Sequence, residues 1–498
     1  MKNFPKFLFC LALALVLTGC SEDWLDERPT DAVSADQATS TTDNLFAIIN
    51  GIHRLMYERQ GSNGRGGYSA MMIQHDALGE DLVMNAQANG WWISMASWND
   101  HTNATDLDLR HGWRVMYQVI NNANRIIEGA PEAEGDAATR DAALGQAYAY
   151  RAFAHYFLVQ RHAERYDWSG GNSQQGIPLI LEPTTEGVPP SSVEEVYAQV
   201  NSDLDQAIDL LDGWSRPTKS HINQAVALGL KARVNLTQGN WETAADYAVQ
   251  AREGYPLMDS VAYTSGFNDY TNDEWLWGGY YNEEQGSAFT NFGAWMSRNF
   301  SSSNIRGNPK SIYSVLYETI PETDVRAAVF SRSGEHEHLP AGYEISSAHR
   351  RFPYTSQKFL SISTGDSRGD VPYMRAAEMY LIEAEARARL GSGGAEALLP
   401  LAVARDPAYE LSENTGDALI EEILLQRRWE LWGEGFRFLD LKRLDMALDR
   451  TGEDGVETNH NSALLNGLMQ VSADDPRWVW LIPQDEINAN PNITQVQY

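Results

Sequence analysis

Two stretches of the sequence combine flat aromatic side chains with polar side chains that can bind hydroxyl groups. An aromatic ring stacks on a flat apolar face of a ligand, while amides, carboxylates and guanidinium groups hydrogen-bond to its polar edge. We therefore predict that one or two tryptophans from each stretch form a single stacking arc. The predicted ligand-binding residues are Asp81, Trp91, Trp92, Trp98 and Asn99 in the first stretch and Trp275, Tyr280, Trp295 and Arg298 in the second.

The second stretch is dense in aromatic residues. Nine of the 33 residues from 268 to 300 are aromatic, whereas aromatic residues make up 10% of the whole chain. A disordered segment would be depleted in them, so the density favours a functional surface. The competing interpretation is packing, because a single tryptophan in a large globular protein is more often a core residue than a binding platform. Trp241 and Trp429, which lie within helical patterns, are assigned to packing.

Motifs for catalysis and for metal binding are weak. Residues 365–369 read GDSRG and match the G-x-S-x-G pattern of serine hydrolases, but the sequence around them does not predict the strand and helix that this pattern requires. His336 and His338 flank Glu337 without a third metal ligand nearby, and no phosphate-binding loop of the G-x-x-x-x-G-K-[ST] type occurs. We therefore predict no catalytic residues and no cofactor. Binding of a structural calcium ion remains an alternative, since acidic loops are abundant.

The charge of the chain excludes one class of partner. The 498 residues carry 38 basic and 68 acidic side chains, which give a formal charge of −30. This charge would repel a phosphate backbone, and no basic stretch offsets it, so nucleic acid is excluded. The apolar fraction of 43% is typical of a globular protein with an ample core.

The N-terminus resembles the export signal of a bacterial lipoprotein. Lys2 and Lys6 precede an apolar run at residues 7–17, which is too short to span a bilayer as a helix. The run leads into Leu-Thr-Gly-Cys at residues 17–20, which resembles a lipobox. We predict that residues 1–19 are a signal peptide, that Cys20 is acylated and that residues 20–498 form the mature body. The alternative is an ordinary secretory peptide that happens to contain a cysteine.

Apolar residues recur at helical spacing through most of the chain, which predicts a mostly α protein. A Gly239-Asn240 turn separates two segments rich in small residues, and this pair resembles a tetratricopeptide repeat. A loop-rich variable region is predicted at about 255–371, within a single compact unit whose helical scaffold covers about 41–254 and 372–450. A short strand is predicted at 479–482. The predicted helices are residues 43–57, 111–129, 137–162, 192–212, 221–238, 241–253, 372–390 and 417–432.

Three C-terminal motifs resemble those of the SusD/RagB family of nutrient-uptake lipoproteins. Residues 375–386 read RAAEMYLIEAEA, which is similar to the family helix R-x-A-E-x-Y-L-I-x-A-E-A. Residues 427–443 read RRWELWGEGFRFLDLKR and are similar to the family signature R-x-x-E-L-x-G-E-G-x-R-x-x-D-L-x-R. The end, LIPQDEINANPNITQVQY at 481–498, resembles the family terminus I-P-x-x-E-x-x-x-N-P-x-x-x-Q-x-x-Y.

The resemblance implies a SusD-like fold in which tetratricopeptide-like helix pairs support the variable loops. It implies a non-catalytic protein that is lipid-anchored in the outer membrane and faces the cell exterior. Such a protein binds oligosaccharides, or in some relatives peptides, and delivers them to a SusC-like TonB-dependent transporter. The chemistry of sugars, which have flat C–H faces and rims of hydroxyl groups, suits the aromatic and polar clusters. The alternatives are a surface glycoside hydrolase, whose carboxylate pair would leave no sequence pattern, and an adhesion module.

Overall fold

The computed structural model describes residues 35–284, 289–453 and 455–498. The predicted signal peptide and Cys20 lie outside these residues. Helices dominate the described part of the chain, and none of them has both the length and the apolar composition needed to cross a bilayer. The helices are α1 (Ala35–Ala38), α2 (Thr42–Leu55), α3 (Gly67–Leu78), α4 (Ile93–Ala96), α5 (Leu107–Gly129), α6 (Ala137–His162), α7 (Val193–Leu210), α8 (Gln224–Gln238), α9 (Trp241–Ala251), α10 (Ser260–Tyr263), α11 (Phe292–Met296), α12 (Ser303–Gly307), α13 (Ser314–Glu318), α14 (Val325–Ala328), α15 (Ala376–Arg389), α16 (Gly394–Arg405), α17 (Asp417–Glu430), α18 (Arg437–Arg443) and α19 (Gln484–Ala489).

The strands are short and form small antiparallel sheets. One sheet has four strands in the order β1-β5-β7-β6, and the others are the pairs β2–β3, β4–β8 and β9–β10. The strands are β1 (Leu82–Met84), β2 (Gln175–Pro178), β3 (Pro190–Ser192), β4 (Trp275–Gly279), β5 (Lys310–Ile312), β6 (Phe330–Ser331), β7 (Thr355–Ser356), β8 (Val371–Arg375), β9 (Leu448–Asp449) and β10 (Gln470–Val471).

The mostly α prediction is confirmed, and each of the eight predicted helices is present with ends that differ by a few residues. Helix α3 was not predicted because nearly all of its residues are buried, so that it has no polar face to create a periodic pattern. The prediction of a strand at 479–482 is wrong, because the structure has no strand there. That segment bonds singly to separate elements, with the N–H of Trp480 donating to the carbonyl of Arg161 and the N–H of Leu481 donating to the carbonyl of His101.

Consecutive helices pack against one another along the chain. Helix α5 packs on α6, α6 on α7, α7 on α8 and α8 on α9. Helix α15 then packs on α9, and α16 and α17 pack on α15. The segments before and after the loop-rich region therefore form one scaffold. The turn between α8 and α9 is made by Gly239, whose φ of 76° lies in the left-handed region that favours glycine.

The region between the two parts of the scaffold contains only short elements among its described residues. From residue 255 to 370 no described helix or strand is longer than five residues. Its ends are joined by the β4–β8 ribbon, in which Trp275 is paired with Arg375 and Gly279 with Val371. This ribbon therefore connects the loops to the first residue of α15.

Buried charges hold one end of the ribbon on the scaffold. Arg375, the last residue of β8, donates to Glu274 (2.5 Å), Glu430 (2.9 Å) and Glu434 (2.7 Å). Arg405, at the end of α16, contacts Glu274 and Glu430 at 2.8 and 3.0 Å. Burial alone would raise the pKa of Glu434, but the neighbouring cations outweigh it and hold this pKa below its ordinary value. We refer to these five residues as the buried ion cluster.

Replacement of Arg375 by Met is expected to destabilise the protein by about 3–5 kcal/mol, because it leaves buried carboxylates without their shared partner. Urea unfolding at pH 7 measures this change. The control is Arg54→Met, since Arg54 pairs with Glu58 on the surface and such pairs contribute little. Equal unfolding midpoints for the two variants would contradict the role of the cluster.

Candidate functional site

A groove opens in the loop-rich region at the end of the ribbon that lies away from the buried ion cluster. Because Gly279 is paired with Val371, the residue after β4 and the residue before β8 are neighbours although they are far apart in the sequence. The groove has a volume of about 470 Å³. The side chains that line it are those of Asn268, Tyr280, Tyr281, Asn282, Glu283, Glu284, Ile362, Arg368 and Asp370.

Asp370 joins the loops that border the groove. Its carboxylate accepts the backbone N–H of Tyr270 at 2.9 Å and that of Tyr281 at 3.1 Å. Its own N–H donates to the carbonyl of Asn268. Burial raises the pKa of Asp370 to about 6, although the two N–H donors oppose this shift. The group is therefore mostly ionised at pH 7 and acts as a fixed acceptor that positions both loops.

Tyr280 is the exposed aromatic residue in the described lining of the groove. It is 42% exposed, and its ring lies 4.8 Å from that of Tyr270, measured between centroids. The next residue, Tyr281, is buried, and its hydroxyl oxygen is 3.0 Å from that of Ser69. The buried tyrosine thus anchors the chain while the exposed one remains available to a ligand.

The polar rim of the groove is rich in acceptors. Arg368 is the one cation among the described lining residues, and its guanidinium is forked onto Asp366 with Nε–O distances of 3.0 and 2.9 Å. It also reaches Glu283 at 3.4 Å. The amide of Asn268 donates to the carbonyl of Leu360 and to the hydroxyl of Tyr343. A flat platform beside carboxylates and amides suits a ligand that has an apolar face and many hydroxyl donors.

Most of the tryptophans predicted to bind ligand are core residues, and this prediction is corrected. Trp98, Trp275 and Trp295 are at most 1% exposed, so they have no free face on which a ligand could stack. Trp98 packs edge-on against Trp478 at 4.8 Å and donates from its indole to the carbonyl of Leu78. Trp92 is also buried and lies edge-on to Trp295 at 5.7 Å. The predicted tryptophan arc is therefore not present on the surface.

Two of the polar residues predicted to bind ligand are paired with other residues inside the protein. Asp81 is buried and paired with Arg428 at 2.6 Å. Arg298 is buried and donates to His336 and His349, each at 2.9 Å. Burial lowers the pKa of His336 to about 3 and that of His349 to about 4, which keeps both rings neutral and able to accept these bonds. Neither side chain is exposed to grip a hydroxyl group.

Three predicted residues remain accessible. Tyr280 lines the groove, whereas the half-buried Trp91 and the exposed Asn99 do not. Contact between these last two residues and a ligand stays a prediction. The sequence prediction missed Asn268, Arg368 and Asp370. The RGD triplet at 368–370 was the available signal, but only the pairing of β4 with β8 places it beside Tyr280.

The described residues do not form the metal centre considered at His336 and His338, because His336 accepts from Arg298 and contacts Gln357. One group of three carboxylates within the described chain is close enough to share an ion, namely Asp100, Asp106 and Asp108. Asp106 caps α5 by accepting the N–H of Asp108, and Asp108 pairs with Arg65 at 2.6 Å. These structural roles explain two of the three carboxylates without a metal.

Two family models together match residues 23–498 of the chain. Residues 237–498 match the family described as the SusD family, and residues 23–236 match a family described as starch-binding and associating with the outer membrane. A SusD-like protein of Formosa agariphila is 24% identical over 93% of this chain and 94% of its own. A SusD-like carbohydrate-binding protein from Bacteroides vulgatus has a similar structure, with a TM-score of 0.78, 26% identity and coverage of 91% and 97%.

A second solved structure shares the fold at lower identity. Surface glycan-binding protein A from Bacteroides thetaiotaomicron, in complex with laminarihexaose, aligns with a TM-score of 0.67 and 17% identity. The alignment covers 92% of this chain and all of that one. The SusD-like fold predicted from the C-terminal motifs is therefore confirmed.

Replacement of Asp370 by Ala is expected to loosen the loops around the groove, because it removes the acceptor of two backbone N–H groups. Amide hydrogen exchange, followed by mass spectrometry, should become at least about tenfold faster for peptides that contain Tyr270 and Tyr281. The matched control is the neighbouring Asp269→Ala, whose carboxylate accepts within its own turn, from the N–H and the hydroxyl of Thr271. Unchanged exchange at Tyr281 in the Asp370 variant would contradict this positioning role.

Proposed function

The chain belongs to the SusD family, and from this membership we propose that it is a non-catalytic surface protein that binds oligosaccharides in the Tyr280 groove. The observation that carries the proposal is the exposed ring of Tyr280 beside the acceptors of Asp370 and Asn268. A pyranose ring can place its C–H face on the tyrosine and direct its hydroxyl groups to the rim. Peptides are the alternative class of ligand.

The charge of the groove favours neutral saccharides there. The lining has three carboxylates, Glu283, Glu284 and Asp370, against the single cation Arg368 among its described residues. An anionic sugar placed in the groove would face this excess of negative charge at close range. Surface glycan-binding protein A, which shares the fold, was solved with laminarihexaose bound, and this supports a saccharide as the ligand.

Family membership supports a proposal for the location and the partner. The N-terminal match is to a family described as associating with the outer membrane. We propose that Cys20 carries the lipid anchor, that the body faces the cell exterior and that it delivers its ligand to a SusC-like TonB-dependent transporter. The large negative charge is compatible with this arrangement. Removal of Lys2 and Lys6 with the signal peptide takes the charge from −30 to −32, and a body of this charge stays soluble beside an anionic membrane surface.

Replacement of Tyr280 by Ala is expected to weaken binding of a neutral oligosaccharide about tenfold, because the stacking face is lost. A glycan array with the acyl-free protein identifies the ligand, and titration calorimetry measures the change in Kd. Tyr280→Phe should retain most of the affinity, since it keeps the ring. Tyr498→Ala is the control, because Tyr498 has a similar exposure of 49% and does not line the groove.

Equal affinity of the wild type and the Tyr280→Ala variant would reject the groove as the binding site. The same incubations distinguish the binder from the glycoside hydrolase. A binder leaves the length of each oligosaccharide unchanged overnight, whereas a hydrolase releases shorter products that chromatography detects.

Expression of the full chain with its lipid anchor is expected to allow recovery of a large β-barrel transporter with the protein after mild detergent extraction. Cys20→Ala should abolish membrane attachment and should release the body as a soluble protein. Fractionation and mass spectrometry of the purified material check both outcomes. Recovery of the protein without a transporter would favour the adhesion module over the import component.

A further inference from the structure

A second cavity, separate from the groove, is lined by arginines. It has a volume of about 420 Å³ and lies between the loop after α2 and the first turns of α5. Four arginines line it, and Glu58 is the one acidic residue in the described lining. This balance is the reverse of the whole chain, in which acidic residues outnumber basic ones by 68 to 38. The four residues are Arg59, Arg65, Arg110 and Arg114.

The backbone holds these side chains on two ordered walls. Arg110 and Arg114 are one turn apart on α5, so they lie on the same face of the helix. On the opposite wall, Arg59 is bridged to Gly66, and the N–H of Gln60 donates to the carbonyl of Arg65 at 2.9 Å. The two walls are joined by the ion pair between Arg65 and Asp108 at 2.6 Å. The cavity is thus shaped before any ligand arrives.

Two of the four cations make no ion pair with any residue that the structure describes. Arg65 pairs with Asp108, and Arg110 pairs with Asp485 at 2.5 Å. Glu58 is paired with Arg54. Within the described part of the chain, neither Arg59 nor Arg114 makes an ion pair. Both side chains line the same cavity, so an oxyanion bound there could accept forked hydrogen bonds from guanidinium groups that lack a carboxylate partner among the described residues.

We propose that this cavity binds the anionic substituent of an acidic saccharide, a sulfate ester or a uronate carboxylate. The cavity is concave, which suits a compact substituent rather than a flat membrane surface. The charge of −30 on the whole chain would also oppose approach to an anionic bilayer. The chain links the two sites: Tyr57, next to the cavity-lining Glu58, packs edge-on at 5.8 Å against Tyr281, which lines the groove.

The choice of a saccharide rests on the proposed function, whereas the preference for an anion rests on the arginines. The two can therefore fail separately. A protein that binds neutral oligosaccharides but ignores their charged forms would keep the proposed function and would overturn this inference. A protein that binds an acidic saccharide unaffected by Tyr280→Ala would support a site outside the groove.

The test uses a sulfated galactan hexasaccharide, its desulfated form and a galacturonate oligomer of similar length, each titrated into the wild-type protein. At least one of the two acidic saccharides should bind about tenfold or more tightly than the desulfated hexasaccharide, and its affinity should fall as salt is raised. Arg59→Gln combined with Arg114→Gln should remove this preference. Both side chains are exposed, so the double variant should fold, which circular dichroism checks.

The matched control is Arg125→Gln, which removes an exposed arginine from the same helix but outside the cavity. An equal loss of affinity in the control would overturn the proposal, because it would show a general effect of charge. No preference for either acidic saccharide, or an unchanged preference in the double variant, would also overturn it. Vesicles that contain phosphatidylglycerol form the last arm. Binding to them that depends on Arg59 and Arg114, without binding of the acidic saccharides, would reassign the cavity to the membrane and reject the saccharide.

Discussion

The buried ion cluster is the interaction on which the rest of the structure depends. Arg375 and Arg405 share Glu274 and Glu430 in a region without access to water, so each charge is stable only while its partners are in place. The partners come from the loop-rich region, the end of α16 and the end of α17. Their mutual dependence fixes these three parts of the chain relative to one another more strictly than an apolar contact would.

The ribbon carries that order to the binding surface. Its scaffold end holds Glu274 and Arg375, and its other end holds Tyr280 and Asp370, about 17 Å away for a strand of five residues. A shift of either strand by one residue would separate the charged partners, and this cost keeps the groove in register. The groove and the arginine-lined cavity differ in charge, because the groove has an excess of carboxylates and the cavity an excess of guanidinium groups.

The scaffold could be predicted from the sequence because amphipathic helices have a local period, and the C-terminal motifs then indicated the family. Helix α3 could not be predicted in this way, because it is buried on all sides and its sequence therefore lacks the alternation of apolar and polar residues. The groove could not be predicted for a different reason. Tyr280 and Asp370 are neighbours because β4 pairs with β8, and these strands are far apart in the sequence. The tryptophans were misassigned because residue type does not determine exposure. Trp295 is large and apolar and therefore as well suited to a core as to a platform. Arg298 was misassigned for the same reason, because it is buried and donates to two neutral histidines.

The pairing of Gly279 with Val371 has a consequence for how this architecture could be re-engineered. Both ends of the intervening chain are held side by side by the ribbon, so closing the loop costs little extra free energy when its length changes. Only the exposed part of that segment at the groove could therefore be exchanged, because its buried residues, such as Trp295, belong to the core. A designer could graft a foreign loop there and alter ligand choice, while the helices that support the graft would keep their sequence and their packing.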